Sequence, residues 1–127
     1  MFKIHTAVLQ VIGVLSLVSA AHAAGDPSAG QAVFAQCAAC HSVGAAAQNG
    51  IGPVLNGVVG RTAGTYPGYR YSSAMRKSGL VWDEAVLTQY LRGPDKLVPG
   101  TKMAFAGVVD DKDLADVVAY LKQQSSQ

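Results

Sequence analysis

The sequence has no internal repeat, no low-complexity tract and no segment with useful strand alternation, and its net charge is small. Its 127 residues leave no length for a second core, so we expect one domain. Because no segment alternates apolar and polar residues, the sequence predicts an all-α fold. Nucleic acid binding needs a clustered excess of cations to neutralise phosphates, and a net charge of +2 argues against it.

No apolar run is long enough for a clear membrane span, and the N-terminus instead has the pattern of a secretory signal peptide over residues 1–23. Lys3 precedes the apolar run Thr6–Val18, and Ala21-His22-Ala23 has the small–x–small pattern of a signal-peptidase site. The run is shorter than the roughly 20 residues that cross hydrocarbon. An uncleaved membrane anchor is the alternative. Either way, the domain over residues 24–127 is expected to work outside the cytoplasm.

Histidine is scarce once this signal is removed. His5 and His22 lie in the signal, so the exported domain keeps only His41, together with Cys37 and Cys40. A structural zinc site needs four such ligands and is therefore disfavoured.

Capping residues and apolar spacing predict four helices. They are expected over 27–40, 72–77, 83–92 and from Asp110 onwards, with Asp26, Asp83 and Asp110 as N-caps. In the last helix, apolar residues recur at helical spacing: Leu114, Val117, Val118 and Leu121. Segments 44–68 and 99–107 are predicted as loops. So few short helices bury too little apolar surface to offset chain entropy, and a large, flat, apolar cofactor would complete the core.

The segment Cys37-Ala38-Ala39-Cys40-His41 has the pattern C-x-x-C-H, the attachment motif of c-type haem. Two thiols at this spacing at the end of a helix can reach the two vinyl groups of one porphyrin, and the next residue points its imidazole at the iron. A thioredoxin-like C-x-x-C needs a βαβ setting that the sequence does not show. A two-residue spacing is also poor for a disulfide that staples loops. The sequence therefore predicts one covalent haem c, held by Cys37 and Cys40.

The second axial ligand cannot be another histidine of the same exported domain, so the candidates are the thioethers of Met75 and Met103. Met75 falls in a predicted helix, where core packing is the simpler role. Met103 follows Pro99-Gly100-Thr101-Lys102 in a predicted loop and is favoured, partly on this placement and partly on the resemblance below. With both axial positions filled, electron transfer is favoured over catalysis.

From Gly25 to its end, the chain resembles the class I cytochromes c, including mitochondrial cytochrome c and short bacterial periplasmic cytochromes c. The matching blocks follow the family's order and spacing. They are Cys37–His41, Gly52–Gly57, Gly60-Arg61, Tyr69–Ser72, Trp82, Tyr90-Leu91, Pro99–Gly107 and Ala119–Lys122. The resemblance implies the class I cytochrome c fold, with few short helices and loops wrapped around one covalently bound haem.

The resemblance also implies individual roles. His41 would be the proximal iron ligand, oriented by the Pro53 carbonyl, and Met103 the distal ligand, approached by Tyr90. Gly30 and Phe34 would cross the last helix at Val117 and Tyr120. The residues expected to contact the haem propionates are Tyr71, Trp82, Thr101 and Arg61. On chemistry alone, each aromatic could equally be plain core.

The function that follows is a soluble periplasmic one-electron carrier, not an enzyme, working as a monomer. Its expected partners are membrane or periplasmic electron donors and acceptors, such as oxidase, reductase or dehydrogenase complexes. Between Arg61 and Lys102, seven cations outnumber three anions, which suggests electrostatic steering towards acidic patches. A haem peroxidase and a redox subunit permanently docked to a dehydrogenase are the alternatives.

Overall fold

In the computed structural model, residues 25–125 are described, and they form five helices joined by long loops. The helices are α1 (Pro27–Phe34), α2 (Ser73–Lys77), α3 (Glu84–Arg92), α4 (Pro94–Leu97) and α5 (Asp111–Gln124). Within these residues the β contacts amount to one isolated bridge, between Thr62 and Val81. The expected all-α fold is confirmed. The predicted signal peptide lies outside the described residues, and no helix over 25–125 is long and apolar enough to cross a bilayer.

Side-chain caps begin four of these helices. Each cap accepts a hydrogen bond from a backbone N–H that has no partner inside its helix. The caps are Asp26, Ser72, Asp83 and Asp110, for α1, α2, α3 and α5. Three of them, the aspartates, are the N-caps predicted from the sequence.

Helix α1 is shorter than predicted, and α4 is an addition. We expected α1 to reach about residue 40, but it ends at Phe34, whose carbonyl accepts from the N–H groups of both Cys37 (2.7 Å) and Ala38 (3.1 Å). Tighter hydrogen-bonded turns then continue to Cys40. Helix α4 is a single turn that starts at Pro94, where the missing N–H costs no intrahelical bond.

Helices α1 and α5 cross in close contact at Gly30. A Cβ at this position would lie 1.9 Å from the carbonyl oxygen of Asp116, so only glycine lets the two backbones approach this far. One turn further along, the rings of Phe34 and Tyr120 pack with centroids 5.3 Å apart at an interplanar angle of 50°. The predicted crossing of α1 and α5 is confirmed at these residues.

A buried carboxylate ties the N-terminal segment to this crossing. The side chain of Asp116 is 3% exposed. It accepts hydrogen bonds from the Lys112 ammonium (2.5 Å) and from the backbone N–H of Asp26 (2.8 Å). These two bonds lower the pKa of Asp116, the one from Lys112 contributing most. The ionised group is therefore well satisfied where α1 begins.

The apolar stripe predicted for α5 is buried along its whole length. Its four members are 1–4% exposed: Leu114, Val117, Val118 and Leu121. Helix α5 packs against α1 and α3, and part of its inner face borders a cavity that Val117 and Leu121 help to line. The helices thus form a frame whose interior their own side chains do not fill.

The crossing at Gly30 predicts the effect of a single methyl group. Gly30→Ala should lower the free energy of unfolding by about 3 kcal/mol, because the backbones of α1 and α5 must separate. Denaturant unfolding of the exported protein measures the change. The neighbouring exposed substitution Gln31→Ala is the control and should stay within about 0.5 kcal/mol of the wild type. Equal stability of Gly30→Ala and Gln31→Ala would contradict the close approach.

Candidate cofactor site

A cavity of about 210 Å³ lies between the frame of helices and two long loops. A water molecule needs only about 15 Å³ of such space, so this is no packing defect. Most of its lining is apolar, including Phe34, Leu55, Val58, Met75, Leu87, Leu91, Val117 and Leu121. All ten site residues predicted from the sequence also line it: Cys37, Cys40, His41, Pro53, Arg61, Tyr71, Trp82, Tyr90, Thr101 and Met103. The structure therefore brings the whole predicted set together.

The C-x-x-C-H motif lies on the turns that follow α1. The N–H groups of Cys40 and His41 both donate to the Cys37 carbonyl, at 3.1 and 2.9 Å. Cys37 is partly buried and Cys40 is exposed. Burial, and secondarily the neighbouring Cys40, raises the pKa of the Cys37 thiol. Because α1 ends before the motif, the turns that follow it bring Cys37, Cys40 and His41 to the lining of the cavity.

His41 is held by a hydrogen bond to the backbone of the next loop. Its Nδ1 lies 2.7 Å from the Pro53 carbonyl oxygen. A neutral imidazole that donates from Nδ1 keeps the lone pair of Nε2 available for a metal. Burial lowers the pKa of His41, outweighing the bond to Pro53, and this favours the neutral ring. At Gly52 a Cβ would lie 2.4 Å from the imidazole Cε1, so glycine lets the backbone pass against the ring.

The loop after α4 supplies Met103 to the same cavity. Thr101 organises this loop: its Oγ1 accepts from the Met103 N–H at 3.3 Å and lies 2.9 Å from the Tyr90 hydroxyl. Burial raises the pKa of Tyr90, so its hydroxyl stays protonated. The Trp82 ring packs on the Tyr90 ring, with centroids 4.8 Å apart. The Tyr90 hydroxyl is therefore held against Thr101, which precedes Met103 by two residues in the chain. Met75, 8% exposed on α2, lines the cavity too.

One end of the cavity is cationic. The Arg61 guanidinium donates to the carbonyls of Asn56 (3.0 Å) and Val54 (3.2 Å) and lies 4.8 Å from the centroid of the Tyr66 ring. Burial lowers the pKa of Arg61, although an arginine remains charged in proteins. Among the residues of 25–125 that line the cavity there is no Asp or Glu. This cation therefore meets no carboxylate from the described chain.

Tyr71 adds a hydroxyl donor near this charge. The Tyr66 N–H donates to the Tyr71 oxygen at 3.1 Å, which leaves the phenolic proton able to donate into the cavity. Burial raises the pKa of Tyr71 and keeps it protonated. A large apolar space with a cation and a hydroxyl donor suits a flat, apolar macrocycle that carries carboxylates. The residues present thus fit haem, and the individual propionate contacts predicted for Tyr71, Trp82, Thr101 and Arg61 remain predictions.

Sequence reasoning missed Asn49, which holds the loop that contains Pro53. Its side-chain oxygen accepts from the Val54 N–H, and its side-chain nitrogen donates to the Pro67 carbonyl, each at 3.0 Å. Val54 directly follows Pro53, so this amide positions the peptide whose carbonyl orients His41. An isolated asparagine in a glycine-rich loop is the signal that could have found it.

A second asparagine closes the same loop. The Asn56 side chain makes two bonds of 2.8 Å to Gly44, accepting from its N–H and donating to its carbonyl. This pair imitates the backbone pairing of two strands. It brings together two loop segments that are 12 residues apart in the chain.

Tyr69 and Lys102 connect the loops across the mouth of the cavity. The Tyr69 hydroxyl donates to the Ile51 carbonyl at 2.7 Å, on the side of His41. The Lys102 ammonium donates to the Arg70 carbonyl at 2.5 Å and lies 4.9 Å from the centroid of the Tyr69 ring. The segment around Tyr69 thereby links the loop of His41 to the loop of Met103.

Comparison with known proteins agrees with this geometry. The sequence profile of the family Cytochrome c matches residues 27–125. The chain is 54% identical over 109 residues to cytochrome c2 of Rhodomicrobium vannielii, covering 86% of this chain and 87% of that protein. It is 54% identical over 100 residues to cytochrome c2 of Rhodoblastus acidophilus, covering 79% and 94%. The solved structure of cytochrome cH from Methylobacterium extorquens matches with a TM-score of 0.74 and 52% identity, over 78% of this chain and 99% of that one.

The Asn49 bridge predicts a local loosening of the Pro53 loop. Asn49→Ala should speed hydrogen exchange of the Val54 amide and lower the free energy of unfolding by about 1–2 kcal/mol, because a buried N–H loses its acceptor. Asn49→Asp should keep the Val54 amide protected, since a carboxylate still accepts this bond. Gln48→Ala, on the adjacent exposed side chain, is the control. Unchanged exchange of the Val54 amide in Asn49→Ala would refute the bridge.

Proposed function

The chain belongs to the cytochrome c family, and from this premise we propose that it is a periplasmic one-electron carrier whose haem iron is held by His41 and Met103. The family membership and the C-x-x-C-H motif give it one covalent haem c, attached through Cys37 and Cys40. They also make it an electron-carrier cytochrome, like the cytochromes c2 to which it is similar. The axial ligands, the location and the partners are our proposals.

The observation that carries the ligand assignment is a single cavity lined by an oriented imidazole and a loop thioether. The bond from Nδ1 to Pro53 commits His41 to offering Nε2, and Met103 comes from a loop tied through Thr101. Met75 lies within α2, in the hydrophobic core cluster, which supports a packing role.

The haem, when bound, supplies an iron that takes up and releases one electron. The residues of the chain determine how readily the iron is reduced and oxidised. A thioether ligand from Met103 favours the reduced state, and the apolar walls keep water from the site. Arg61 and Tyr71 would receive the carboxylates of the haem, so that these charges are not left unpaired.

A carrier is supported over a haem enzyme by the same lining. A peroxidase needs an open iron position and a distal acid or base. Among the described lining residues, His41 is the one histidine, and no carboxylate is present. With His41 and Met103 both bound to the iron, no position would be left for a substrate.

The location follows from the N-terminal pattern. We propose that residues 1–23 are removed as a signal peptide and that residues 24–127 act in the periplasm as a monomer. The proposed partners are oxidase, reductase or dehydrogenase complexes, either in the membrane or in the periplasm. A subunit permanently docked to a dehydrogenase is the alternative, and co-purification at high salt distinguishes the two.

The two methionines are separated by matched substitutions. Met103→Ala should abolish the weak sulfur–iron absorption band of the oxidised protein and let the reduced protein bind carbon monoxide, because one iron face opens. Met75→Leu, a nearly volume-conserving change, should keep the band and exclude the gas. Absorption spectra with and without carbon monoxide measure both. If Met75→Leu opens the site and Met103→Ala does not, the assignment is wrong.

The signal peptide is tested by the mass of the protein recovered from the periplasm. We expect a chain that begins at Ala24 and carries one haem. Ala23→Leu should block cleavage, because the small residue of the processing site is lost. Ala24→Leu is the control, lying just beyond the cut. Recovery of the wild-type chain in membranes with residues 1–23 attached would contradict the proposal and favour the anchor.

A further inference from the structure

The chain has two asparagines, and each of them is followed by glycine: Asn49-Gly50 and Asn56-Gly57. Asparagine is among the chemically labile residues of proteins. The backbone nitrogen of the next residue can attack the carbon of its side-chain amide, and glycine hinders this approach least because it has no Cβ. Each of the two amides makes two hydrogen bonds that hold the loop of His41. Chemical change at either asparagine would therefore reach that loop.

The Asn56-Gly57 pair is held on both sides of the bond that would react. The Asn56 amide makes two bonds of 2.8 Å to a single residue, Gly44. The Asn56 carbonyl belongs to the same peptide group as the Gly57 nitrogen, and it accepts from the Arg61 guanidinium at 3.0 Å. Attack by this nitrogen would require the side chain to leave Gly44 and the peptide to turn away from a charged donor. Both steps are unfavourable, the second more so because bonds to charged groups are the stronger ones.

The Asn49-Gly50 pair is held less firmly and is exposed to solvent at both residues. The Asn49 amide accepts from the Val54 N–H and donates to the Pro67 carbonyl, each at 3.0 Å, and both partners are neutral. The Gly50 N–H donates to the Gly52 carbonyl at 3.0 Å, across a turn of the same exposed segment. Exposed loops with neutral hydrogen bonds open locally at low free-energy cost. The reacting nitrogen and the amide carbon can therefore meet here, in contact with water.

We propose that Asn49 is a site of spontaneous deamidation in the folded protein, and that the fold protects Asn56 from the same reaction. The Gly50 nitrogen attacks the side-chain carbonyl carbon of Asn49 and forms a new C–N bond. The C–N bond of the side-chain amide breaks, and ammonia leaves with the proton that the Gly50 nitrogen loses. Water then opens the cyclic succinimide at either of its carbonyls, which gives aspartate or isoaspartate. Water is the co-reactant, and no electrons are exchanged.

Either product weakens the bridge that Asn49 forms. A carboxylate has no hydrogen to donate to the Pro67 carbonyl and would lie against that oxygen. Isoaspartate also adds a methylene to the main chain, where there is little slack. The Gly52 N–H donates to the Cys40 carbonyl at 2.8 Å, and a Cβ on Gly52 would lie 2.4 Å from the His41 ring. The isoaspartate form should therefore exchange its Gly52 amide hydrogen faster than the unmodified protein does.

Ageing of the exported, haem-bearing protein tests the proposal. Peptide mapping by mass spectrometry follows the mass gain at each asparagine during incubation near neutral pH, and enzymatic methylation measures isoaspartate. We expect Asn49 to convert about tenfold faster than Asn56 in the folded protein, because Asn56 must also lose a bond to a charged donor. The same protein unfolded in denaturant is the reference. There the two Asn-Gly pairs should convert at similar rates, since neither keeps its partners.

Gly50→Ala removes the feature that makes Asn49 labile. The fold accepts this change, because the nearest contact of a Cβ on Gly50 would be the Cys40 carbonyl oxygen at 3.7 Å and the φ angle of Gly50 lies outside the left-handed region. Conversion at Asn49 should slow severalfold, since the added methyl group hinders the attacking nitrogen. Gln48→Ala, on the other side of Asn49, is the matched control and should leave the rate of conversion unchanged.

Several results would overturn the proposal. If Asn56 converts as fast as Asn49 in the folded protein, its contacts with Gly44 and Arg61 do not protect it. If both asparagines persist in the folded protein and convert only in denaturant, the fold protects Asn49 as well. If Gly50→Ala converts at the wild-type rate, the Gly50 nitrogen is not the attacking group. Unchanged exchange of the Gly52 amide in the isoaspartate form would contradict the effect on the loop of His41.

Discussion

The structure depends on one constraint: its centre is reserved for a flat cofactor and is not filled by side chains. Five short helices and their loops surround a cavity of about 210 Å³, bordered by buried residues of α1, α3 and α5. A chain of this size has little apolar surface to spare, so leaving the centre empty would be costly. The stability of the fold therefore depends on binding of the cofactor. The C-x-x-C-H motif meets this need by fixing the cofactor covalently to the turns that follow α1.

Local chemistry made much of this predictable. The caps Asp26, Asp83 and Asp110 and the stripe of α5 are set by residues a few positions apart, and the structure confirms them. The end of α1 was placed six residues too late, at 40 instead of 34, since composition alone gives no reason for the tighter turns that place the thiols. The Asn49 bridge was missed because its partner Pro67 lies 18 residues away in the same long loop, where the sequence shows no pattern that pairs distant residues.

Two charged side chains lie inside the molecule, in different surroundings. Arg61 is inside, where no described lining residue opposes it, which prepares that end for a carboxylate-bearing group. Asp116 is buried under the crossing of α1 and α5, where two donors satisfy it. Buried charges are costly unless paired, so each placement either has its partner in the chain or requires one from the cofactor.

Neutral hydrogen bonds, more than ion pairs, hold the cavity walls in place. Asn49 and Asn56 fasten the loop of His41, and Tyr69 fastens it to the segment beside the loop of Met103. Hydrogen bonds between neutral groups of this kind are weakened little by salt. An electron carrier gains from such walls, since a site that keeps its geometry in both oxidation states needs little reorganisation.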